Sequence, residues 1–439
     1  MRSWRQQLRL MALLGLLATV ILFTGWYGWR QLQPKVLHIG VFAGSNWQVP
    51  AGDSYSIVDE AIRQFEQEHP GVKVDYMSGI KKEDYSEWLA ERVLDEAEPD
   101  VFFVLSDDFN LYATTGVLLE LTPTAGLDHD FAEQSYYPAA LSYGQYEGRQ
   151  YALPFESVPT LMFVNKTLLK REGIPMPDNN WTWQDFLSIC RQITRDTDGD
   201  GRPDQFGFYD YTWQQAVVTN GLELFKRDGN FSYFADNRMK EAMLFMIDLT
   251  AVNRGYQVTA KDFDMGRVAF RPFTFAEYRT YKPYPWRIKK YAAFEWDCIK
   301  LPAGPSGKNT SELNTMLMGI SSRTKEPELS WQLLKKFCYD PRIQELLLRE
   351  SQGLPVRREV LESPEARQIL LQDAPGDEKI NVAIIDEVME NAVVPPKFRK
   401  YREAMLRADN DLKKIINNME PFNNALNKLQ KEINAYLQY

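Results

Sequence analysis

Three kinds of hydrophobic spacing succeed one another along the chain. From Leu10 to Trp29, the stretch LMALLGLLATVILFTGWYGW carries no charge, and Arg2, Arg5 and Arg9 precede it. As a helix, such a stretch rises about 30 Å, the thickness of a bilayer core. The arginines would then stay on the cytoplasmic side, with Trp26, Tyr27 and Trp29 at the outer interface. No cysteine follows the apolar run for lipid attachment, and no convincing A-x-A cleavage signal is present. The expectation is an uncleaved signal anchor over residues 1–34, with a cleaved signal peptide as the alternative. The working part then begins near Lys35, outside the cytoplasm.

Beyond Lys35 the spacing changes to short apolar runs alternating with helical stripes. KVLHIGVF (35–42), VKVDYM (72–77) and DVFFVL (100–105) read as buried strands. Between them, residues 53–68 place Ile57, Ala61, Ile62 and Phe65 on one helical face and stop at Pro70-Gly71; residues 85–97 form a second helix. This β-α-β-α-β alternation predicts an open, largely parallel α/β sheet. The alternation restarts after Tyr151: a strand at 161–165, a capped helix at 182–194, longer helices at 213–226 and 239–252, and strands at 268–270, 292–302 and 316–321. From Glu326 onward nearly everything is helical. The fold class expected is α/β, with two lobes and a helical C-terminal region, and ligands belong beyond the carboxyl ends of the strands, in the cleft between lobes.

Composition narrows the function. A net charge of −9 argues against nucleic acid as a partner. The three histidines, His38, His69 and His129, have no metal-ligand spacing, and Cys190, Cys298 and Cys338 are too scattered for a disulfide framework. Aromatic residues reach 13%, enough either for large aromatic cores or for rings that stack on sugars.

Several stretches carry a family resemblance: AIRQFEQEHPGVKVDY, PDVFFVLSDDFNLYATTGVLLELTP, GRQYALPFESVPTLMFVNKTLLKREGIPMPDNNWTWQDFL, MGRVAF and GLPVRREV. Together they resemble the extracellular solute-binding proteins of the sugar-binding ABC-importer type (family 1, maltose-binding-protein-like), over Lys35 to Tyr439. The resemblance implies a two-lobe periplasmic-binding-protein-like fold (type II) with hinge crossings near 148–152, 301–304 and 353–355. Lobe 1 would comprise 35–150 plus 304–352, and lobe 2 would comprise 151–303 plus 353–439. It implies a monomer that captures a carbohydrate and docks on ABC permease subunits; this chain departs from it at the N-terminus, where many relatives carry a lipid-attached cysteine and the expected N-terminal helix would hold it to the membrane instead. It implies no enzyme chemistry. The alternatives from other classes are an anchored sugar sensor and a surface glycoside-processing enzyme; the latter would need two carboxylates about 5–10 Å apart across a cleft.

Sugars offer hydroxyls to polar side chains and C–H faces to rings. At strand ends the expected ligand contacts are Asn46 and Trp47, Asp107 or Asp108, and Trp213. Glu156 joins them where relatives point a polar side chain into the cleft. Arg271, Tyr278 and Trp286 come from the ring-rich stretch 270–286. Trp181 and Trp183 read as packing for a helix start. The loop DTDGDGRPD (196–204) offers Asp196, Asp198, Asp200 and Asp204 as oxygen ligands, plus the Arg202 carbonyl, with Gly201 at the sharp turn. That is the front of a calcium loop whose twelfth position, Gly207, lacks the closing carboxylate. The expectation is a structural Ca2+ and no organic cofactor; the alternative is an acidic turn after the helix.

Overall fold

The structure is a computed structural model of the chain, describing residues 34–47, 54–77, 79–281, 294–372, 382–396, 398, 400–417 and 422–438. The expected N-terminal anchor and Trp286 lie outside the described residues. Among the described residues, no helix is long and apolar enough to cross a membrane.

The first lobe grows from β1 (Lys35–Gly40), α1 (Ser54–Glu68), β2 (Val72–Met77), α2 (Lys82–Leu94), β3 (Val101–Val104) and α3 (Ser106–Thr114). Ile57, Ala61, Ile62 and Phe65 are buried, as the stripe on α1 requires, and Gly71 turns the chain at φ +91°. All four residues of β3 are buried because helices cover both faces of the sheet. β1 pairs with β2 and β3 in parallel. After α4 (Pro138–Ser142), the chain enters one long strand, β4 (Ala152–Asn165).

β4 joins the lobes. Its first half, Ala152–Pro159, pairs antiparallel with β8 (Leu313–Ile320); its second half, Thr160–Asn165, pairs antiparallel with β6 (Val268–Thr274) and β7 (Trp296–Ile299). β5 (Phe206–Phe208) lies parallel to β6. The strand order is therefore β2-β1-β3-β8-β4-β6-β5, with β7 and β9 (Leu354–Pro355) also pairing with β4. Period-two alternation in the second half of β4 sends Leu161 and Phe163 to one core and Met162 and Val164 to the other. The second core is covered by α5 (Trp183–Ile193), α6 (Trp213–Thr219) and α7 (Asn237–Val252). α5 opens on a Thr182–Asp185 capping box. α6 is shorter than the expected 213–226 because Asn220 and Gly221 (φ +72°) turn the chain.

The crossings differ from those expected. Residues 148–152 close a turn inside the first lobe, where Tyr151 N donates to Gly144 O at 3.0 Å. Residues 301–304 still belong to the second lobe: Ala303 O accepts from Trp183 N at 2.9 Å, and Gly304 N donates to Thr219 O at 3.0 Å. After Pro355 the chain stays with the first core. Glycine-rich turns mimic hinges in sequence, whereas the first crossing is the middle of β4 and carries no turn signal. The second crossing is 309–313. The third is 391–400, between α12 (Val382–Asn391) and α13 (Tyr401–Ile416). These two run side by side: Leu313 N donates to Val393 O at 3.0 Å, and Val393 N to Ser311 O at 2.9 Å.

The remaining helices divide accordingly. α9 (Pro327–Cys338), α10 (Pro341–Glu350), α11 (Pro364–Gln372) and α12 contribute Leu333, Leu347, Leu370, Ile385 and Met389 to the first core. α13 and α14 (Phe422–Gln438) contribute Leu412, Leu426 and Ile433 to the second. The segment 353–439, expected whole in lobe 2, is thus shared between the two cores.

Candidate functional site

Strand ends from both lobes converge on the crossing. β4 continues past the end of β3, since Leu317 of β8 faces Pro154 on one side and Val104 on the other. Glu156, two residues on, is fully buried. The loop after β1 reaches over to it, and Asn46 Nδ2 donates to its Oε1. Ser351 Oγ donates to Oε2. Trp47 Nε1 lies beside the same carboxylate, outside hydrogen-bond geometry. Lys82, at the start of α2, donates to Asn46 O and sits 5.7 Å from the Phe42 ring and 6.0 Å from that of Trp47. Gly353 is needed here: a Cβ would run into Glu156 Oε2 and come 3.0 Å from Trp47 Nε1. Burial pushes the Glu156 carboxyl up, against the pull of the Asn46 and Ser351 hydrogen bonds and the charge of Arg279. Asn46, Trp47 and Glu156, expected separately from sequence, therefore form one linked group.

Arg279 ties two helices together at this point. It lies on α8 (Phe275–Tyr281), after β6, and donates to Ser351 O and, at 2.5 Å, to Leu348 O at the end of α10. Those carbonyls have no helical partner, and the end of a helix favours a cation.

On the other side of the crossing lies a cavity of about 760 Å³, lined among others by Asp107, Asp210, Tyr211, Trp213, Tyr401 and Arg402. Asp107 comes from the first turn of α3; Asp210 to Trp213 follow β5; Tyr401 and Arg402 open α13. Both lobes and the third crossing therefore contribute to its wall. Trp213 is fixed at the start of α6 by the Thr212–Gln215 capping box, and its Nε1 donates to Asp409 Oδ1 at 2.9 Å. Asp107 stands 3.6 Å from Arg402, both exposed. Asp210 adopts φ +63°, a left-handed conformation that costs a non-glycine residue about 1 kcal/mol or more and collects at binding sites. Burial pushes its carboxyl up, while nearby Arg271 pulls the other way.

This two-lobe arrangement has a match in sequence. The pattern of the bacterial extracellular solute-binding protein family fits residues 50–345, more than half of the chain. The chain belongs to that family.

Among known relatives of this solute-binding protein, an uncharacterized lipoprotein of Streptomyces antibioticus is 26% identical over 310 residues, 64% of this chain. The match spans 61% of that relative's own length. An ABC substrate-binding protein of Listeria monocytogenes, solved in complex with cycloalternan, superposes with a TM-score of 0.70 at 19% identity, covering 93% of this chain and 100% of the other. The sugar-binding protein of Xanthomonas citri gives 0.76 at 16% identity, covering 92% and 98%. At these identities the likeness establishes the two-lobe fold.

Other expected contacts of the solute-binding protein sit elsewhere. Tyr278 is fully buried against Phe163, Phe275 and Trp296, so its ring is core rather than a stacking platform. Arg271 is buried behind Asp210, its guanidinium 3.9 Å from the Phe273 ring and 4.9 Å from that of Tyr209. Asp108 turns toward Ser86 and is half-buried, and burial pushes its carboxyl up. Trp181 and Trp183 are core, the latter stacked on Phe245 at 4.3 Å.

The acidic loop joins α5 to the start of β5, so it lies at the opposite end of β5 from Asp210. Carboxylate oxygens of Asp196, Asp198 and Asp200 fall within 4.8 Å of one another. Each also caps the loop's backbone: Asp196 accepts from Gly199 N and Gly201 N at 2.7 Å, Asp198 from Asp200 N at 3.1 Å, and Asp200 from Arg202 N at 2.8 Å. The Gly201 and Gly199 hydrogen bonds hold the Asp196 carboxyl below its usual range. Asp204 turns away, accepting from Thr197 N at 2.8 Å and Thr197 Oγ1 at 2.6 Å. Three of the four expected acidic ligands are thus brought together and the fourth is not.

Proposed function

We propose that this solute-binding protein captures a carbohydrate in the cavity between its lobes and delivers it to an ABC-type importer. The observation that carries this reading is the wall itself: the Tyr401 ring and the carboxylates Asp107 and Asp210, from both lobes, line one space of about 760 Å³, backed by the nearly fully buried Tyr211 and Trp213. Rings cover the apolar faces of a sugar and carboxylates accept from its hydroxyls. The sugar ligands of the Listeria and Xanthomonas proteins support the same class. Contacts made with both lobes favour a closed form, and an importer can tell that form from the open one. Asp107 and Asp210, with Tyr401, are the proposed ligand-holding set; the Glu156 group, whose carboxylate is fully buried and already accepts from Asn46 and Ser351, stands outside that wall. The N-terminal apolar run is the proposed membrane anchor. The acidic loop is the proposed site of a structural calcium ion, away from the sugar.

The test is thermal unfolding of the full-length chain across a carbohydrate library. A ligand present at a hundred times its Kd stabilises by about 2.7 kcal/mol. A library in which no sugar shifts the transition, beside another solute class that does, sinks the carbohydrate assignment. Sugar turnover that vanishes in Glu156→Gln would instead make the chain an enzyme.

A further inference from the structure

Parallel pairing of β1, β2 and β3 gives the first lobe two distinct ends. The strands finish at the cleft: the loop after β1 reaches Glu156, and Asp107 follows β3 into the cavity wall. They start at the opposite end, where Lys35 and Val72 face each other and Lys35 N donates to Gly71 O at 2.9 Å. Helices return to this base, α1 stopping at Glu68 and α2 at Leu94. Arg323, just past β8, closes it by donating to Val93 O and to Glu98, both at 2.8 Å, and Glu326 pairs with Lys35 at 2.7 Å.

The chain enters the lobe at that base. The apolar run ends at Trp29 and β1 begins at Lys35, so five residues separate the proposed anchor from the fold. Pro34, the last of them, lines a cavity of about 340 Å³ with Arg63, Gln67 and Lys73, beside the turn from α1 to β2. From Trp29 to Lys35 the chain reaches at most about 20 Å. β1 alone, with six residues, is about 20 Å long. The loop from Ala43 to Trp47 lies beyond its end, level with the start of α2. Turning the cleft end down onto the bilayer would lift Lys35 by more than the connection can reach.

We propose that the base of the first lobe is a membrane-facing surface, held against the phospholipid headgroups, so that the cleft opens away from the bilayer. This rests on the anchor reading above. The surface suits such a partner. Lys35, Lys73 and Arg323 are each paired with a carboxylate, so they bring no net positive charge, and the short connection does the holding. Leu94, 82% exposed, puts a bare apolar side chain on the same surface. Attachment by a covalent connection, unlike attachment by surface charge, is not screened by salt. An importer that takes the solute must then rise above the headgroups to meet the cleft.

The experiment reconstitutes the full-length chain into liposomes of phosphatidylcholine and phosphatidylglycerol, with and without a nitroxide quencher on the lipid headgroup. Glu83→Cys and Leu94→Cys, both at exposed positions, place a fluorophore at either end of α2, about 17 Å apart. Cys190, Cys298 and Cys338 are buried, so the label goes to the introduced thiol. The expected result is flotation with the liposomes and quenching several times stronger at Leu94→Cys than at Glu83→Cys, unchanged at high salt. Roughly 20 Gly and Ser residues inserted after Pro34, with a reach of about 25 Å, should abolish that contrast. Equal quenching at the two positions of the unextended chain, or stronger quenching at Glu83→Cys, overturns the inference while leaving the anchor intact. If the chain does not float with the liposomes, the anchor reading fails and the membrane-facing base falls with it.

Discussion

Replacing Glu312 by glutamine isolates the free-energy cost of burying one carboxylate. In the folded chain, burial lifts the group from 4.5 to about 7. In the unfolded chain it titrates near its ordinary value. Between those two pH values the folded state holds a proton that the unfolded state has released. Stability from this group is therefore fully present below about pH 4.5, falls as pH rises, and is lost above about pH 7. A separation of about two and a half pH units, at about 1.4 kcal/mol each, amounts to about 3 kcal/mol. Tyr143 and Tyr401, the groups facing it, stay neutral over this range because burial raises both, Tyr143 to about 12. Glu156, the other buried carboxyl pushed up, is present in both proteins and cancels in the difference. Glutamine has the same shape and no charge to bury. Urea unfolding at pH 5 and pH 8 should thus show the two proteins close together at pH 5, and the variant ahead by about 3 kcal/mol at pH 8. A difference that does not change with pH refutes the reasoning, since it would mean that the carboxylate is solvated or paired.

Three further outcomes follow from the same geometry. Gly353→Ala drives a methyl group into Glu156 Oε2, and urea unfolding should show a loss of about 1–3 kcal/mol, as overpacking does elsewhere. Arg279→Ala leaves Leu348 O and Ser351 O at the end of α10 without their cation, which should cost about 1–3 kcal/mol by the same assay; an unchanged midpoint would mean that α8 and α10 are not tied there. Calcium at ten times its Kd should raise stability by about 1.4 kcal/mol over a chelator, and Asp198→Ala should remove that gain without changing sugar affinity; equal melting with calcium and chelator rejects the loop as a cation site.

The lobes were legible because their signal is local. The stripe on α1, the all-apolar β3 and the Thr182–Asp185 cap each declare themselves within about fifteen residues, and each stands where its pattern placed it. The crossings were not legible. A strand that changes partners at Pro159–Thr160 looks in sequence like any other long strand, because pairing is a property of its neighbours. Turn glycines such as Gly148 and Gly304 drew the prediction instead. Their actual duties are a φ of +76° and close packing on Asn220.

The candidate site divides along the same line. Asn46, Trp47, Asp107 and Trp213 follow strand ends or open helices, and a rule about strand ends can find such residues. Asp210 obeys that rule too and was missed; its signal was a carboxylate two residues after FGF (206–208). Tyr401, in the cavity wall, and Glu312, at the crossing beside it, obey no local rule. Tyr401 starts a helix nearly two hundred residues from Trp213's strand end in numbering, yet shares a wall with it. Glu312 is a lone acid before LNTMLMGI, and in sequence such an acid reads as a solvated strand start. Only pairing with Val393, and the tyrosines brought in from α4 and α13, make it a half-buried carboxyl at the crossing. Sequence thus reveals a site residue when its own element aims it. It hides one when distant elements create its surroundings, and at the crossing of two lobes most of the surroundings are of that second kind.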